Sequence, residues 1–126
     1  MKIEITIPEL EQFIQSYFKV SIGIEYSDFN KVKVSYMTTF KINVLHVDDY
    51  SVLFGYKINP LTHLVVRGTK FFMKEKFKSD VLQWNVAKKE IQLNLKEIIG
   101  LKGFLNIYRI HSFEIFDNKV ILEMVI

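Results

Sequence analysis

The sequence predicts a single α+β domain in which two helices pack on a strongly curved antiparallel β-sheet. Three observations support this class. Most of the chain alternates apolar and polar residues with the period of a strand, two segments space their apolar residues as an amphipathic helix does, and turn-forming residues separate neighbouring strands. A length of 126 residues matches one domain with one core.

The opening residues predict a strand followed by a helix. Ile3, Ile5 and Ile7 alternate with polar residues, and Pro8 either ends this strand or occupies the first turn of a helix. In the following stretch PELEQFIQSYFKV the apolar residues recur every three or four positions. They form one helical stripe, which consists of Leu10, Phe13, Ile14, Tyr17 and Phe18.

A meander of three strands and a second helix are expected next. Between residues 21 and 58 the apolar period becomes two, and turn residues interrupt it at 27–30 and 48–50. Asn59 and Pro60 then favour a helix start, because asparagine caps well and proline is tolerated in the first turn. We expect this second helix to extend to about Lys78.

The remaining residues predict further strands and a terminal hairpin that turns at Asp117 and Asn118. The segments VLQWNVA and EIQLNL are strands, and a glycine-flanked break at 100–103 precedes the hairpin. The hairpin carries apolar residues on both faces, so its second face needs a cover. The candidates for this cover are another layer of the chain, a partner, a membrane surface and an apolar ligand.

Residues 24–36 and 113–125 also share a strand, turn and strand pattern, which indicates either a weak internal duplication or chance similarity.

Composition excludes thiol chemistry and disfavours export and membrane insertion. The chain has no cysteine, which excludes disulfides, thiolate zinc sites and thiol nucleophiles. Its first residues lack the apolar run of a signal peptide, and no stretch reaches the apolar length of a membrane span. We therefore expect a soluble cytoplasmic protein, unless a leader has been removed.

Catalytic and metal-binding patterns are absent from the sequence. His46, His63 and His111 have no ligand spacing, and the motifs GxSxG, SxxK and a phosphate-binding glycine loop do not occur. The aspartates fall mostly in turns, where their side chains bond the backbone. We expect a protein that is not an enzyme and that carries no metal or cofactor. An enzyme would need one of these histidines beside a buried carboxylate in a hydrophobic pocket.

Lysines and phenylalanines alternate closely in the stretch TKFFMKEKFKSDVLQW. One interpretation is a peripheral membrane contact in which lysines meet anionic head groups and phenylalanines enter the apolar boundary. The other is an ordinary helix whose lysine stems cover apolar surface. Interspersed acids and only two arginines disfavour nucleic acid as a partner. The lysines in question are Lys70, Lys74, Lys76 and Lys78.

The C-terminal third resembles a known architecture. In VAKKEIQLNLKEIIGLKGFLNIYRIHSFEIFDNKVILEMVI, an I-x-L-x-L strand leads to an isoleucine-rich turn, a glycine-containing break and two strands around an Asp-Asn turn. The matching positions are Ile91, Leu93, Leu95, Ile98, Ile99, Gly103, Phe104, Ile107, Ile110, Phe113, Asp117, Asn118, Val120 and Leu122. This pattern resembles the end of tubular lipid-binding (TULIP-like) domains. The resemblance implies a curved sheet around a long helix, with an apolar groove for lipid chains.

The predicted function is non-catalytic binding of a lipid-like or apolar small molecule in a groove between helix and sheet. The residues predicted to line this groove are Phe71, Phe72, Phe77, Trp84, Phe104, Ile107 and Phe113. The alternative is an interaction or structural module that uses its extra apolar sheet face as a subunit interface, with a homo-oligomer or another protein as partner.

Overall fold

The structure is a computed structural model, and it describes residues 1–36, 38–58, 80–98 and 100–126. Two antiparallel sheets and one α-helix account for most of these residues. In chain order the elements are β1 (Lys2–Thr6), α1 (Ile7–Phe18), β2 (Gly23–Asp28), β3 (Lys31–Tyr36), β4 (Thr38–Val47), β5 (Ser51–Ile58), β6 (Leu82–Asn85), β7 (Glu90–Asn94), β8 (Arg109–Phe116) and β9 (Lys119–Val125), with 3₁₀ turns at Leu95–Glu97 and Phe104–Asn106.

The predicted class, two helices on one curved sheet, is wrong. Within the described ranges α1 is the single α-helix, and the strands divide into a three-stranded sheet of order β1-β9-β8 and a six-stranded sheet of order β2-β3-β4-β5-β7-β6. Periodicity shows which face of a strand is buried, but it does not show which strands pair. The predicted second helix, residues 60–78, lies outside the described residues.

Helix α1 is confirmed, and its start has a local cause. The Thr6 side chain accepts a hydrogen bond from the Glu9 amide at 3.2 Å, and the Glu9 carboxylate accepts one from the Thr6 amide at 3.2 Å. This capping box satisfies two backbone donors that no helical carbonyl can reach. Pro8 occupies the first turn, and Lys19 ends the helix with a left-handed φ of 54°.

The predicted three-strand meander contains four strands. The chain reverses after β3, where Tyr36 already pairs with Thr38 of β4. The sequence SYMTTF around this reversal has no glycine, proline, asparagine or aspartate, so the residue types that usually mark a turn are missing. The other two predicted breaks, after β2 and after β4, are confirmed.

The two sheets pack face to face and share the core. Met124 of β9 and Val52 of β5 are completely buried in one cluster, to which Phe113 of β8 adds its ring. The Phe113 ring meets the Phe54 ring edge to face, with 5.6 Å between centroids. A second cluster joins Val32 of the larger sheet to residues of β8 and β9. Apolar residues from both layers therefore bury one another, and Ile7 and Leu10 of α1 also pack in the second cluster.

Asn30 ties the two sheets together at the turn between β2 and β3. Its amide donates to the Ile115 carbonyl at 2.7 Å, and its side-chain Oδ1 accepts from the Ile115 amide at 2.8 Å. Its own carbonyl accepts from the Val44 amide at 2.9 Å. The residue has a left-handed φ of 56°, which asparagine tolerates better than most residues. One turn residue thus connects β4 with β8.

The same contact brings together the two hairpins that share a sequence pattern. The ring of Phe29, in the first hairpin turn, lies 6.3 Å from the ring of Phe116, beside the second. The internal duplication itself stays a prediction, because similar turns can meet without a common origin.

The terminal hairpin has one apolar face and one mixed face. Val120, Leu122 and Met124 are buried against the larger sheet. On the outer face Ile121 is half-buried and pairs with Glu4 on one side and with Glu114 on the other. The stems of these charged neighbours flank the apolar side chain, so the outer face is not a continuous apolar surface.

Candidate functional site

Trp84 is the only tryptophan of the chain, and it stands on the edge strand of the six-stranded sheet. The alternation in β6 turns Leu82 and Trp84 toward the apolar face, and Trp84 pairs with the buried Ile91 of β7. The indole Nε1 atom is buried, and no acceptor for its hydrogen lies among the described residues. A buried donor without a partner is rare in native structures, and it often indicates a functional role or a bound molecule.

Aromatic rings surround this donor. The Tyr56 ring lies 5.6 Å from the Trp84 ring at an angle of 67°, and the Phe40 ring lies 6.5 Å from Tyr56. Ile91 completes a group that we call the Trp84 cluster, made of Phe40, Tyr56, Trp84 and Ile91. Burial raises the pKa of the Tyr56 phenol, so this ring stays uncharged at neutral pH. The cluster therefore offers apolar walls and one polar donor.

Helix α1 and the segment after it cover one side of the Trp84 cluster. Ile14 and Phe18 of the helix, followed by Val20 and Ile22, pack against Phe40 and its neighbours. The Gln15 side chain donates to the Ile22 carbonyl at 2.8 Å, which holds this segment against the helix. The position of the cluster thus depends on the helix that the capping box starts.

Of the predicted groove residues, those that the structure describes do not line one groove. Trp84 belongs to the cluster above, and Phe113 lies between the two sheets. Phe104 and Ile107 are 47% and 66% exposed, next to a 3₁₀ turn that precedes β8. Phe71, Phe72 and Phe77 lie outside the described residues, as do the predicted membrane-contact lysines Lys70, Lys74, Lys76 and Lys78.

Comparisons with models of protein families, with curated proteins and with solved structures found no match to this chain. The resemblance of residues 86–126 to tubular lipid-binding domains therefore stays a prediction.

Polar chemistry elsewhere is sparse in the described part of the chain. His46 Nε2 lies 3.1 Å from Asp48 Oδ1, and both side chains are about two-thirds exposed. Across residues 1–36, 38–58, 80–98 and 100–126 no three histidines or carboxylates converge as metal ligands would. His111 is exposed, and His63 lies outside these ranges. Over the same residues no helix is both long and apolar enough to pass through a lipid bilayer.

A row of lysines crosses the outer face of the six-stranded sheet. Lys33 of β3 pairs directly with Lys41 of β4, and Lys41 pairs directly with Lys57 of β5. All three are exposed. We call Lys33, Lys41 and Lys57 the lysine band.

Sequence reasoning missed the lysine band. The alternation of lysines in β3 marks a solvent-exposed face, but the alignment of three lysines across three strands depends on register. The register follows from turn positions, and one of the turns in this sheet has no recognisable turn residue.

Proposed function

We propose that the protein is a non-catalytic binding module for an apolar small molecule that carries one hydrogen-bond acceptor, such as a fatty acid or an ester. The observation that carries this proposal is the buried Nε1 of Trp84, which has no acceptor among the described residues and lies beside the rings of the Trp84 cluster. Ligand sites of this kind are mostly apolar and have a few placed polar groups that set orientation.

Burial of the Trp84 indole donor without an acceptor among the described residues is energetically unfavourable. A buried donor without a partner destabilises the folded state by about 1–3 kcal/mol. An acceptor on a bound ligand would remove that penalty, and its hydrogen bond would form where water is excluded. The ligand would then bind more tightly than its apolar area alone predicts.

The surroundings of the donor favour an apolar body for the ligand. Phe40, Tyr56 and Ile91 are buried, whereas Trp84 itself is half-buried at the sheet edge. Burial raises the pKa of the Tyr56 phenol, so the phenol stays uncharged at neutral pH. An extended hydrocarbon chain suits such walls, because each buried methylene adds about 0.8 kcal/mol.

The single tryptophan supplies the test. Titrating delipidated protein with fatty acids of increasing chain length should change Trp84 emission saturably and raise the melting temperature. The Trp84→Phe variant keeps an aromatic ring and loses the donor. Its affinity, measured from the ligand-induced shift in melting temperature, should fall about five- to tenfold, the ratio expected for one net hydrogen bond.

Tyr108→Phe is the matched control. It also removes one polar hydrogen from a half-buried ring, but Tyr108 packs in a different cluster, around Leu105 and Met124. Its affinity for the fatty acid should equal that of the wild type. Emission and melting temperature that stay constant across all chain lengths would contradict the proposal, as would equal affinities of the wild type and Trp84→Phe.

A second candidate function is an interaction module whose partner is another copy of the chain. Phe104 and Ile107 favour it, because they are two large exposed apolar side chains at the first residue and at the C-cap of one 3₁₀ turn. The Ile107 amide donates to the Phe104 carbonyl at 3.1 Å, which fixes the backbone that presents them. Apolar groups held together on a surface favour association.

Sedimentation velocity over a range of concentrations tests this second candidate. We expect a dimer that dissociates when Phe104 and Ile107 are both changed to serine. Phe13→Ser with Val86→Ser is the control, since it removes two other exposed apolar side chains. A wild-type chain that stays monomeric at every concentration would contradict the second candidate and leave ligand binding unaffected.

A further inference from the structure

We propose that the lysine band is a docking surface for an anionic lipid membrane. This inference is independent of the ligand proposed above, because the band lies on the opposite face of the six-stranded sheet from the Trp84 cluster. Residue 56 points inward in β5 and residue 57 points outward, so the two surfaces share a strand without sharing side chains.

The charge arrangement of the band is unfavourable within the protein. Like charges directly opposite each other on neighbouring strands destabilise a sheet. Lys33, Lys41 and Lys57 make two such pairs in succession. Among the described residues the ion pairs are Lys2 with Glu4 and His46 with Asp48, and neither involves the band. Glu25 stands directly opposite Lys33 and offsets part of this repulsion. An external anion would relieve the remainder, between Lys41 and Lys57.

The band is straight and exposed. Neighbouring strands lie about 4.8 Å apart, so the three strand lysines extend over about 10 Å. One carboxylate, Glu25, pairs with Lys33 at the far end of the row. Asp28 and Glu90 lie in the next row, where they flank Lys31, Asn43 and Gly55.

The other residues on this face favour a membrane over nucleic acid. The band contains no arginine, which is the side chain that reads phosphates and bases in a bidentate manner. The described outward positions of the six strands carry no phenylalanine, tyrosine or tryptophan on which a base could stack.

An exposed leucine on the same face adds an apolar contact. A Cβ built on Gly55 would lie 3.1 Å from Leu45 Cδ1, which places Leu45 over Gly55 on the outer surface. Leu45 is 50% exposed. Lysines beside an exposed aliphatic side chain form the combination that interfacial membrane binders use, since one group meets head groups and the other meets the acyl boundary.

Vesicle co-sedimentation tests the docking surface. The protein should bind vesicles of phosphatidylcholine with phosphatidylserine, and it should not bind phosphatidylcholine alone. The variant Lys33→Gln, Lys41→Gln, Lys57→Gln should lose about fivefold in partitioning for each lysine and about 100-fold in total. Raising the salt concentration should release the wild-type protein.

The control variant removes the same charge from other surfaces. Lys2→Gln, Lys102→Gln, Lys119→Gln changes three exposed lysines outside the band, and its partitioning should stay within a few-fold of the wild type. The band variant should also unfold at a denaturant midpoint no lower than the wild type, because two like-charge pairs are gone. This second measurement separates lost binding from lost folding.

Three results would overturn the inference. The first is an equal loss of vesicle binding in both triple variants, which would indicate a general effect of net charge. The second is wild-type binding to neutral and anionic vesicles alike. The third is displacement from anionic vesicles by a duplex oligonucleotide that binds the protein more tightly, which would assign the band to nucleic acid.

Discussion

Replacing Asn30 with alanine is expected to lower the free energy of unfolding by about 3 kcal/mol. Two effects combine in this change. Alanine is strained at the left-handed φ of 56°. The buried Ile115 amide also loses its acceptor, the Asn30 Oδ1 at 2.8 Å. Chemical denaturation monitored by circular dichroism measures the loss.

A series of variants at two turn positions separates the two effects. Asn30→Asp keeps an acceptor and tolerates the same φ, so it should be the mildest change. Asn30→Gly removes only the side-chain bond, and Asn118→Gly places glycine at the comparable φ of 64°. Asn118 makes no side-chain hydrogen bond within the described residues. Equal stability of the two glycine variants would contradict the role of Asn30 as a connection between the sheets.

Replacing Phe113 with alanine is expected to destabilise the protein by about 3 kcal/mol. The ring lies between the two sheets, where it contacts Phe54 and joins both the Met124 and the Val32 clusters. Removing it leaves a cavity that neither sheet can fill without moving. The measurement is again the free energy of unfolding in denaturant.

Phe116→Ala is the matched control for this change. The same substitution is made three residues further along β8, where the ring is 54% exposed. It should destabilise the protein by less than about 1 kcal/mol. A Phe113→Ala protein that is as stable as Phe116→Ala would show that the sheets do not depend on this ring. The sequence predicted Phe113 as a groove residue, and we expect its replacement to affect stability more than ligand affinity.

Local features of the fold could be predicted because short-range chemistry decides them. Pro8 and the Thr6 to Glu9 pair determine where α1 begins. The terminal hairpin turns at Asp117 and Asn118, which adopt φ angles of 48° and 64° as expected for such a turn. In each case the residues that decide the structure are adjacent in the sequence.

The division into two sheets could not be predicted because it depends on distant pairing. Ile3 of β1 pairs with Leu122 of β9, and no local pattern in either strand indicates that the two strands pair. The lysine band could not be predicted for the same reason, because the pairing of Lys41 with Lys57 follows from the register of β4 and β5. Trp84 could be selected as an inward aromatic residue. That its buried donor has no acceptor among the described residues depends on the packing around it.

The most direct test of the proposed ligand site is the indole N–H resonance of Trp84 in a two-dimensional NMR spectrum. One tryptophan gives one such signal. Ligand binding at the Trp84 cluster predicts that a fatty acid shifts this resonance saturably and downfield, as a new hydrogen bond does, while the amide resonances of Lys33 and Lys41 stay in place. An indole resonance that does not move at saturating fatty acid would contradict the proposal.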